Sequence, residues 1–240
     1  PRSVASIEMT AFYNCTGLTN IVFEGNAPAI DDGSFAGVTA NAYYPADNTT
    51  WTEDVRQNYG GTITWIPYDV LPFTDVRVNS YCYEPIGWAV EKGITNGVDA
   101  TRFAPNSPMT RAMLVTVLYR AAGSPEITVS TNFTDLNVGD YYYSAVVWAN
   151  INGIVNGVDD THFSPDAPVT RQQIAAILYR YAKFTGSLVE NQGSLEGYTD
   201  KALVEPYAVT PMAWAVGEGI YRGNGSGILN PAGTATRAEI

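Results

Sequence analysis

A tandem repeat limits what this chain can fold into more than any other feature of its sequence. Residues 73–122 recur without a gap as residues 133–182, so that equivalent positions lie 60 residues apart. A third, shorter repeat fills residues 198–240, where Arg237 lies 66 residues after Arg171. Because repeated segments fold alike and pack on their neighbours, the structure of one repeat predicts most of the chain.

Each repeat opens with a predicted helix. Apolar residues three positions apart, such as Val146 and Ala149, mark its inner face. Pro85 and Pro211 fall near the start of the helix, where proline is tolerated. The helix is expected to end at a glycine, and the equivalent glycines are Gly93, Gly153 and Gly219.

A loop and a second helix complete each repeat. The loop is dense in Gly, Asn, Asp and Pro, which favour turns. The second helix begins at a threonine, and Thr170 with Gln173 fits a capping box, as does Thr236 with Glu239. Met113 breaks this pattern in the first repeat. One apolar residue is expected to anchor each loop, and these residues are Phe103, Phe163 and Leu229.

The order of motifs in these repeats is similar to that of a known family. Phe-x-Asp, Trp-Ala, Gly-Ile, Asn-Gly, Phe-x-Pro and Thr-Arg follow one another as in the S-layer homology (SLH) repeat of bacterial surface proteins, over residues 73–240. The resemblance implies helix-loop-helix repeats in a mainly helical, pseudo-threefold assembly. It also implies anchoring to the envelope of a Gram-positive bacterium through a secondary cell-wall polysaccharide, often an anionic, pyruvylated glycan.

A weaker periodicity precedes the repeats. Residues 11–25 resemble one turn of a BspA-like leucine-rich repeat, and a further, imperfect turn begins at Ser34. Such repeats bury their apolar edges only by stacking, so this part is expected to be the β-rich end of a longer solenoid. The alternation around Ile63 predicts a short strand, and residues 67–72 are interpreted as a linker. The aromatic residues expected to close the stack are Trp51, Tyr59 and Trp65.

These observations predict a multidomain chain with a boundary near Asp69. The expected parts are a solenoid end with its cap and three SLH repeats, the last of them truncated at Ile240. Their bounds are 1–69, 70–129, 130–194 and 195–240.

Composition excludes several classes of function. A net charge of -11 and a pI near 4.4 oppose non-specific binding of nucleic acid, which depends on Lys and Arg. No apolar run approaches the roughly 18 residues of a transmembrane helix, and no leader opens the chain, so an export signal is expected upstream. Two cysteines in different segments, Cys15 and Cys82, do not predict a disulfide framework.

Three arginines are the main candidates for binding an anion. Each follows the cap threonine near the first helical position, where the helix dipole disfavours a cation. The hypothesis is an anion site formed by the guanidinium and the free backbone N–H groups of the helix start. The alternative is a salt bridge to an aspartate 36 or 37 residues earlier, and both can hold if the aspartate orients the arginine. The residues are Arg111, Arg171 and Arg237, with Asp75, Asp135 and Asp200.

Tryptophans and Asn-Gly pairs are the further candidates. An indole ring can stack on a sugar, although these tryptophans also fall on amphipathic helices, for which core packing is the ordinary explanation. Asn-Gly brings backbone close to a ligand, or simply turns the chain after a helix. The third repeat departs from the pattern, with Arg222 in place of Asn and Leu229 in place of Phe. The candidates are Trp88, Trp148, Trp214, Asn96, Gly97, Asn156 and Gly157.

Nothing in the sequence predicts catalysis, a metal site or a cofactor. The single histidine, His162, lies in a loop where the first repeat has Arg102. Neither a Cys/His zinc set nor an EF-hand spacing is present, and no pair of carboxylates stands out.

The sequence therefore predicts an extracellular, non-catalytic anchoring module that binds secondary cell-wall polysaccharide, with no nucleic acid partner and no membrane insertion. One alternative is adhesion, in which the leucine-rich-repeat segment binds a protein and the helical repeats are scaffold. A third possibility is a surface enzyme whose catalytic domain lies upstream.

Overall fold

The structure is a computed structural model that describes residues 1–188, 193–223 and 225–240. It contains two compact units. The N-terminal unit comprises Pro1–Trp88 with Gly97–Phe103, and the repeat unit comprises Ala89–Asn96 with Ala104–Ile240.

The N-terminal unit is built from short parallel strands. Ser6 aligns with Ala29, Asn20 with Asn41 and Thr39 with Thr62, so each strand pairs with one that begins about two dozen residues further along. The sheets have the orders β1-β3 and β2-β4-β5. Parallel neighbours at such an offset require the chain to wind around once between strands. The strands are β1 (Ser6–Ile7), β2 (Asn20–Val22), β3 (Ala29–Ile30), β4 (Thr39–Pro45) and β5 (Thr62–Tyr68).

Strand β5 confirms the strand predicted around Ile63 and corrects the linker. Pro67 was expected in the linker, but it pairs with Tyr44 inside β5. Because β5 is the edge strand of its sheet, a residue without a backbone N–H is tolerated there.

Aromatic side chains cover the core of this unit. Trp51 is 5% exposed, packs against Phe23 at 4.6 Å between ring centroids, and donates its indole N–H to Gly25 O at 2.9 Å. Trp65 lies 5.7 Å from Phe23, and Tyr59 lies 6.5 Å from Phe35, which is fully buried. The three residues expected to close the stack thus pack on residues of the preceding turns.

The remaining regular elements are helical. The helices are α1 (Tyr83–Glu91), α2 (Arg111–Ala121), α3 (Tyr143–Ile151), α4 (Arg171–Thr185) and α5 (Val209–Gly217). Short 3-10 helices lie at Lys201–Leu203, Pro206–Ala208 and Arg237–Glu239. The predicted helix-loop-helix order is therefore present, and in the third repeat the second helix is represented by the turn at Arg237–Glu239.

Helix ends follow the sequence signals. Gly93, Gly153 and Gly219 have φ of +68°, +67° and +71°, the left-handed conformation that ends a helix and strains other residues. The capping box predicted at Thr170 is formed, because Thr170 N donates to Gln173 Oε1 at 3.1 Å. At the third repeat, Thr236 N donates to Glu239 Oε2 at 2.7 Å, which confirms Glu239 as a cap residue.

Each loop is anchored by the apolar residue predicted for it. Phe163 is fully buried against Phe133, with ring centroids 5.8 Å apart, and Leu229 is 1% exposed. In the N-terminal unit, Phe103 is 2% exposed and packs on Phe73 at 5.5 Å.

Three backbone segments join the repeats in a closed ring within the repeat unit. Thr110 bridges to Pro168, Thr170 bridges to Thr234, and Pro108 bridges to Thr236. Helix α2 packs against α3, and α4 packs against α5, so a second helix contacts the first helix of the next repeat. The start of each second helix is therefore held against the loop of a neighbouring repeat.

Candidate functional site

The three arginines reach into the loop of a neighbouring repeat. Arg111 donates from Nε to Phe163 O and from Nη2 to Asn156 O, both at 2.9 Å. Its guanidinium also lies over the Phe163 ring, 4.6 Å from the centroid. The first repeat thus supplies a cation to the loop of the second.

The same relationship continues around the ring. Arg171 donates from Nε to Leu229 O at 2.9 Å and lies 4.4 Å from the centre of the Tyr221 ring. Arg237 donates from Nη2 to Asn96 O at 2.9 Å. Each arginine was predicted from its place in its own repeat, whereas its contacts lie in the next one.

Arg111 is a buried cation held by carbonyl groups. It is 6% exposed, and burial lowers the pKa of its guanidinium, although an arginine stays charged. Backbone carbonyl oxygens carry only partial negative charges, so they do not neutralise the guanidinium of Arg111. Asp135 acts on the guanidinium electrostatically, but it forms no direct ion pair with Arg111, so an anion entering beside Arg111 would meet a cation in a poorly hydrated place.

The expected contribution of backbone N–H groups is wrong. Arg111 N donates to Ala167 O at 3.0 Å, and Ala112 N donates to Pro165 O at 3.0 Å. Arg171 N likewise donates to Gly233 O at 2.8 Å. The first helical N–H groups are used to join the repeats, so the guanidinium alone remains for an anion.

The aspartates hold the loops by accepting hydrogen bonds from backbone N–H groups. Asp135 accepts from Phe163 N at 2.9 Å and from Ser164 N at 2.7 Å. Asp75 accepts from Phe103 N at 2.9 Å in the N-terminal unit. Among the described residues, neither Arg111 nor Arg171 forms an ion pair with an aspartate. The predicted salt bridge is therefore wrong for these two arginines.

Asp200 repeats this arrangement in the third repeat. It accepts from Leu229 N at 2.9 Å and from Asn230 N at 2.7 Å. Partial burial raises the pKa of Asp200, but the two N–H donors outweigh it and the pKa falls below its usual value. Asn230 and Ser164 have φ of +55° and +59°, so the carboxylate secures a strained turn.

Two of the three tryptophans lie in the core. Trp148 is 3% exposed and is covered by Tyr119 at 5.6 Å and Phe184 at 5.7 Å. Trp214 is 6% exposed and packs against Tyr179 at 5.6 Å. The core-packing interpretation describes both, because their ring faces are occupied by protein. Trp88, in the N-terminal unit, is 57% exposed.

The Asn-Gly pairs act through backbone and packing. Asn156 and Asn96 present their carbonyl oxygens to arginines, as described above. A Cβ on Gly157 would meet Asp159 O and would lie 2.6 Å from Phe133 Cε1. A Cβ on Gly97 would lie 2.5 Å from Phe73 Cε1. Glycine is required at both positions because an aromatic ring packs on the backbone.

One cavity brings several of these residues together in the repeat unit. It has a volume of about 440 Å³ and includes Arg111, Asn156 and Gly157 among its lining residues. Gln173, Arg180 and Tyr207 also line it, although no motif in the sequence predicts that these three bind a ligand. The available signal was recurrence, since Arg120 precedes Arg180 by 60 residues and Tyr141 precedes Tyr207 by 66.

His162 remains a loop residue. Its Nδ1 lies 3.0 Å from Asp159 Oδ1, and its side chain is 51% exposed. Within the ranges that the structure describes, no three His, Cys, Asp or Glu side chains gather into a set able to hold a metal ion.

Comparison with known proteins identifies the repeats. A family model described as the S-layer homology domain matches residues 72–112, 132–175 and 197–240. The chain belongs to the SLH domain family. SLH domains are non-catalytic modules that anchor proteins at the cell surface and bind cell-wall polysaccharide, which gives this chain an extracellular location at the cell wall.

The SLH chain is similar to parts of much longer proteins. It is 31% identical over 168 residues to an amylopullulanase of Thermoanaerobacterium thermosulfurigenes, covering 70% of this chain and 9% of the relative. It is 29% identical over 170 residues to exoglucanase XynX of Acetivibrio thermocellus, covering 70% and 15%. It is 34% identical over 112 residues to the surface-layer 125 kDa protein of Lysinibacillus sphaericus, covering 45% and 10%.

The chain thus spans less than a sixth of each of these relatives. In the part of the SLH chain that the structure describes, no helix is long and apolar enough to cross a bilayer.

Proposed function

We propose that this chain anchors a larger exported protein to a Gram-positive cell wall by binding an anionic, pyruvylated secondary polysaccharide in the cavity at Arg111. The observation that carries this proposal is the state of Arg111. It is a buried cation that donates its hydrogen bonds to two carbonyl oxygens, with no carboxylate paired to it among the described residues, and it lines an open cavity of about 440 Å³.

The charge of the cavity differs from that of the chain. The whole chain carries a net charge of -11, which would repel an anionic glycan in general. Arg111 and Arg180 both line the cavity, so positive charge is concentrated there. A carboxylate such as that of a pyruvate ketal accepts two parallel hydrogen bonds from a guanidinium, which makes arginine a suitable partner.

The remaining candidate residues take supporting roles in this proposal. Asp75, Asp135 and Asp200 hold the loops, and Asn156 and Gly157 shape the wall beside Arg111. Asn96 offers its carbonyl oxygen to Arg237, and Gly97 allows close packing of its own loop within the N-terminal unit. Arg237 and Arg171 are proposed as the cations of two further sites. Trp88 is proposed as a sugar contact, whereas Trp148 and Trp214 support the repeats from the core.

We further propose that residues 1–69 are the end of a BspA-like leucine-rich-repeat solenoid with its cap, followed by repeats at 70–129, 130–194 and 195–240. The parallel register of β2, β4 and β5 supports a solenoid, because each turn adds one strand to the stack. This segment is where adhesion to a protein would act, as the second candidate function. A cavity of about 430 Å³ lined by Ile7, Phe12 and Phe23 favours that candidate.

Binding to isolated cell walls tests anchoring. The complete 240-residue chain is mixed with sacculi of Lysinibacillus sphaericus, the source of the surface-layer relative, before and after chemical removal of the secondary polymer. We expect binding that disappears with the polymer and that falls at least about tenfold in Arg111→Ala, as loss of a charged hydrogen-bonding partner implies. Equal binding to stripped sacculi would contradict the proposal.

A further inference from the structure

An exposed tyrosine stands at the cavity that contains Arg111. Tyr207 lies in the short 3-10 helix Pro206–Ala208 and lines the cavity, although half of its surface is exposed. The next residue, Ala208, is completely buried in the core of the repeat unit. The core therefore fixes the backbone that presents the phenol ring to solvent.

The cavity is assembled from all three repeats. Arg111 comes from the first repeat, Asn156 and Arg180 come from the second, and Tyr207 comes from the third. Burial and Glu205 raise the pKa of Tyr207, while Arg180 and Arg111 lower it. The two guanidinium groups are thus close enough to act on the phenol electrostatically.

The combination of an exposed tyrosine with two arginines recurs in the sequence at the preceding repeat. Tyr141 lies 66 residues before Tyr207 and is 64% exposed. Burial and Asp166 raise its pKa, whereas Arg237 and Arg120 lower it. Arg237 and Arg120 are the residues that the repeat makes equivalent to Arg111 and Arg180. The repeat thus places an exposed tyrosine and two arginines at equivalent sequence positions for a second time.

The chemistry of a tyrosine ring suits a sugar. A pyranose has an apolar face made of C–H groups, and an aromatic ring offers a flat apolar surface with a polar group at its edge. Binding sites combine such apolar walls with a few polar groups that fix orientation. The rings of Trp148 and Trp214 are buried, whereas Tyr207 is half exposed and lines the same cavity as Arg111 and Arg180.

We propose that Tyr207 is the platform on which a sugar ring of the polysaccharide stacks while Arg111 and Arg180 bind the acidic group of the same residue. Tyr141 with Arg237 and Arg120 forms a second site of the same design. This assignment rests on the proposed function and adds two binding residues to it.

One of the positions at which the two sites differ is that of Gln173. Gln173 lines the Tyr207 cavity, and its Oε1 is used by Thr170 N, which leaves the amide NH₂ of Gln173 available to a sugar oxygen. The equivalent residue at the Tyr141 site is Met113, whose Sδ lies 3.8 Å from Arg237 Nη1. Because a thioether donates no hydrogen bond, the Tyr207 site is the tighter of the two.

The test measures binding of the complete chain to Lysinibacillus sphaericus sacculi that retain their secondary polymer, over a range of protein concentrations. We expect Tyr207→Ala to weaken binding about tenfold, in line with the loss of one stacked ring. Tyr207→Phe keeps the ring face and stays within about twofold, and Arg180→Ala weakens binding about tenfold. Tyr141→Ala has a smaller effect than Tyr207→Ala.

Tyr13→Ala is the matched control, because Tyr13 is 58% exposed and belongs to the N-terminal unit. Circular dichroism melts check that every variant is folded. If folded Tyr207→Ala binds as tightly as the unchanged chain while Arg111→Ala loses binding, Tyr207 is not the stacking residue. That result would still support the proposed anchoring function. Failure of the unchanged chain to bind these sacculi overturns both.

Discussion

Asp135 and Arg111 bind opposite ends of the same residue. Phe163 donates its backbone N–H to Asp135 Oδ1 at 2.9 Å, and Phe163 O accepts from Arg111 Nε at 2.9 Å. Asp135 belongs to the second repeat, which also contains the loop at Phe163, and Arg111 belongs to the first repeat. The aspartate therefore positions the arginine through the peptide backbone, without an ion pair.

Replacing Asp135 with asparagine tests this coupling. The side-chain amide in Asp135→Asn would offer one acceptor oxygen instead of two, and its NH₂ group would face a donor at Phe163 or Ser164. Leaving a partly buried N–H unsatisfied costs about 1–3 kcal/mol, so we expect a lower free energy of unfolding in urea. We also expect weaker binding to sacculi, because the carbonyl that holds Arg111 shifts.

Asp160→Asn is the control for this variant. Asp160 is exposed in the same repeat, and we expect its replacement to change stability by less than about 0.5 kcal/mol. Equal stability of the two variants would show that the turn does not depend on the carboxylate.

The loops also contain exposed aspartates whose ionised form is favoured. Hydrogen bonds from Thr161 N and from the His162 side chain lower the pKa of Asp159 to about 2, from an ordinary value of 3.8. A lowered pKa stabilises the fold at pH values above the ordinary one, and this contribution is lost as the pH falls through the folded value. The loss is therefore expected between about pH 4 and pH 2.

Melting temperatures across that range check the prediction. We expect Asp159→Asn to melt below the unchanged chain at pH 7, with the difference shrinking as the pH falls from 4 to 2. Asp160→Asn, one residue further on, is the control for removing a carboxylate from the same loop. A difference that stays constant down to pH 2 would mean that the Asp159 charge contributes nothing to stability.

Close packing at Gly157 makes a third prediction. Gly157→Ala would push a methyl group into Asp159 O and the Phe133 ring. Overpacking of this kind costs about 1–3 kcal/mol, and the displaced Asn156 carbonyl should loosen Arg111. We expect lower stability in urea and weaker binding to sacculi.

Gly139→Ala controls for loss of a glycine, since a Cβ there meets nothing within 4 Å. Its stability should match the unchanged chain within about 0.5 kcal/mol. If Gly157→Ala behaves in the same way, the ring of Phe133 has room to move and the glycine is not required.

The sequence predicted what each repeat forms but not which repeat it contacts. Spacing identified the helix ends at Gly153, the capping box at Thr170 and the loop anchor Phe163, since these depend on local chemistry. The repeat offset places an arginine equivalent to Arg111 at the same position in every repeat. It does not predict which loop lies opposite that arginine. The backbone bridges between repeats determine which loop lies opposite, and the same contacts use the N–H groups that were predicted to bind an anion.

The aromatic residues show the same limit of sequence patterns. Trp148 and Trp214 stand out because they recur on helices, but the inner face of a helix is the part that becomes buried. Tyr207 lies in a 3-10 turn without apolar periodicity, so its exposure could be seen only in the fold. Recurrence at Tyr141 was the one signal in the sequence, and it carried no information about the neighbouring guanidinium groups.

The shape of the Arg111 guanidinium is the basis of the last prediction. Two nitrogens of its planar fork donate to carbonyls in different parts of the next loop, and its flat face lies on the Phe163 ring. A lysine has the same charge, but its single ammonium group cannot span both carbonyls or stack in this way. We therefore expect Arg111→Lys to lower the free energy of unfolding by about 1.5–3 kcal/mol. Arg77→Lys, at an exposed position in the N-terminal unit, is the control for the change of residue type and should be neutral. Urea denaturation measures both, and an Arg111→Lys chain as stable as the control would mean that charge alone joins the first repeat to the second.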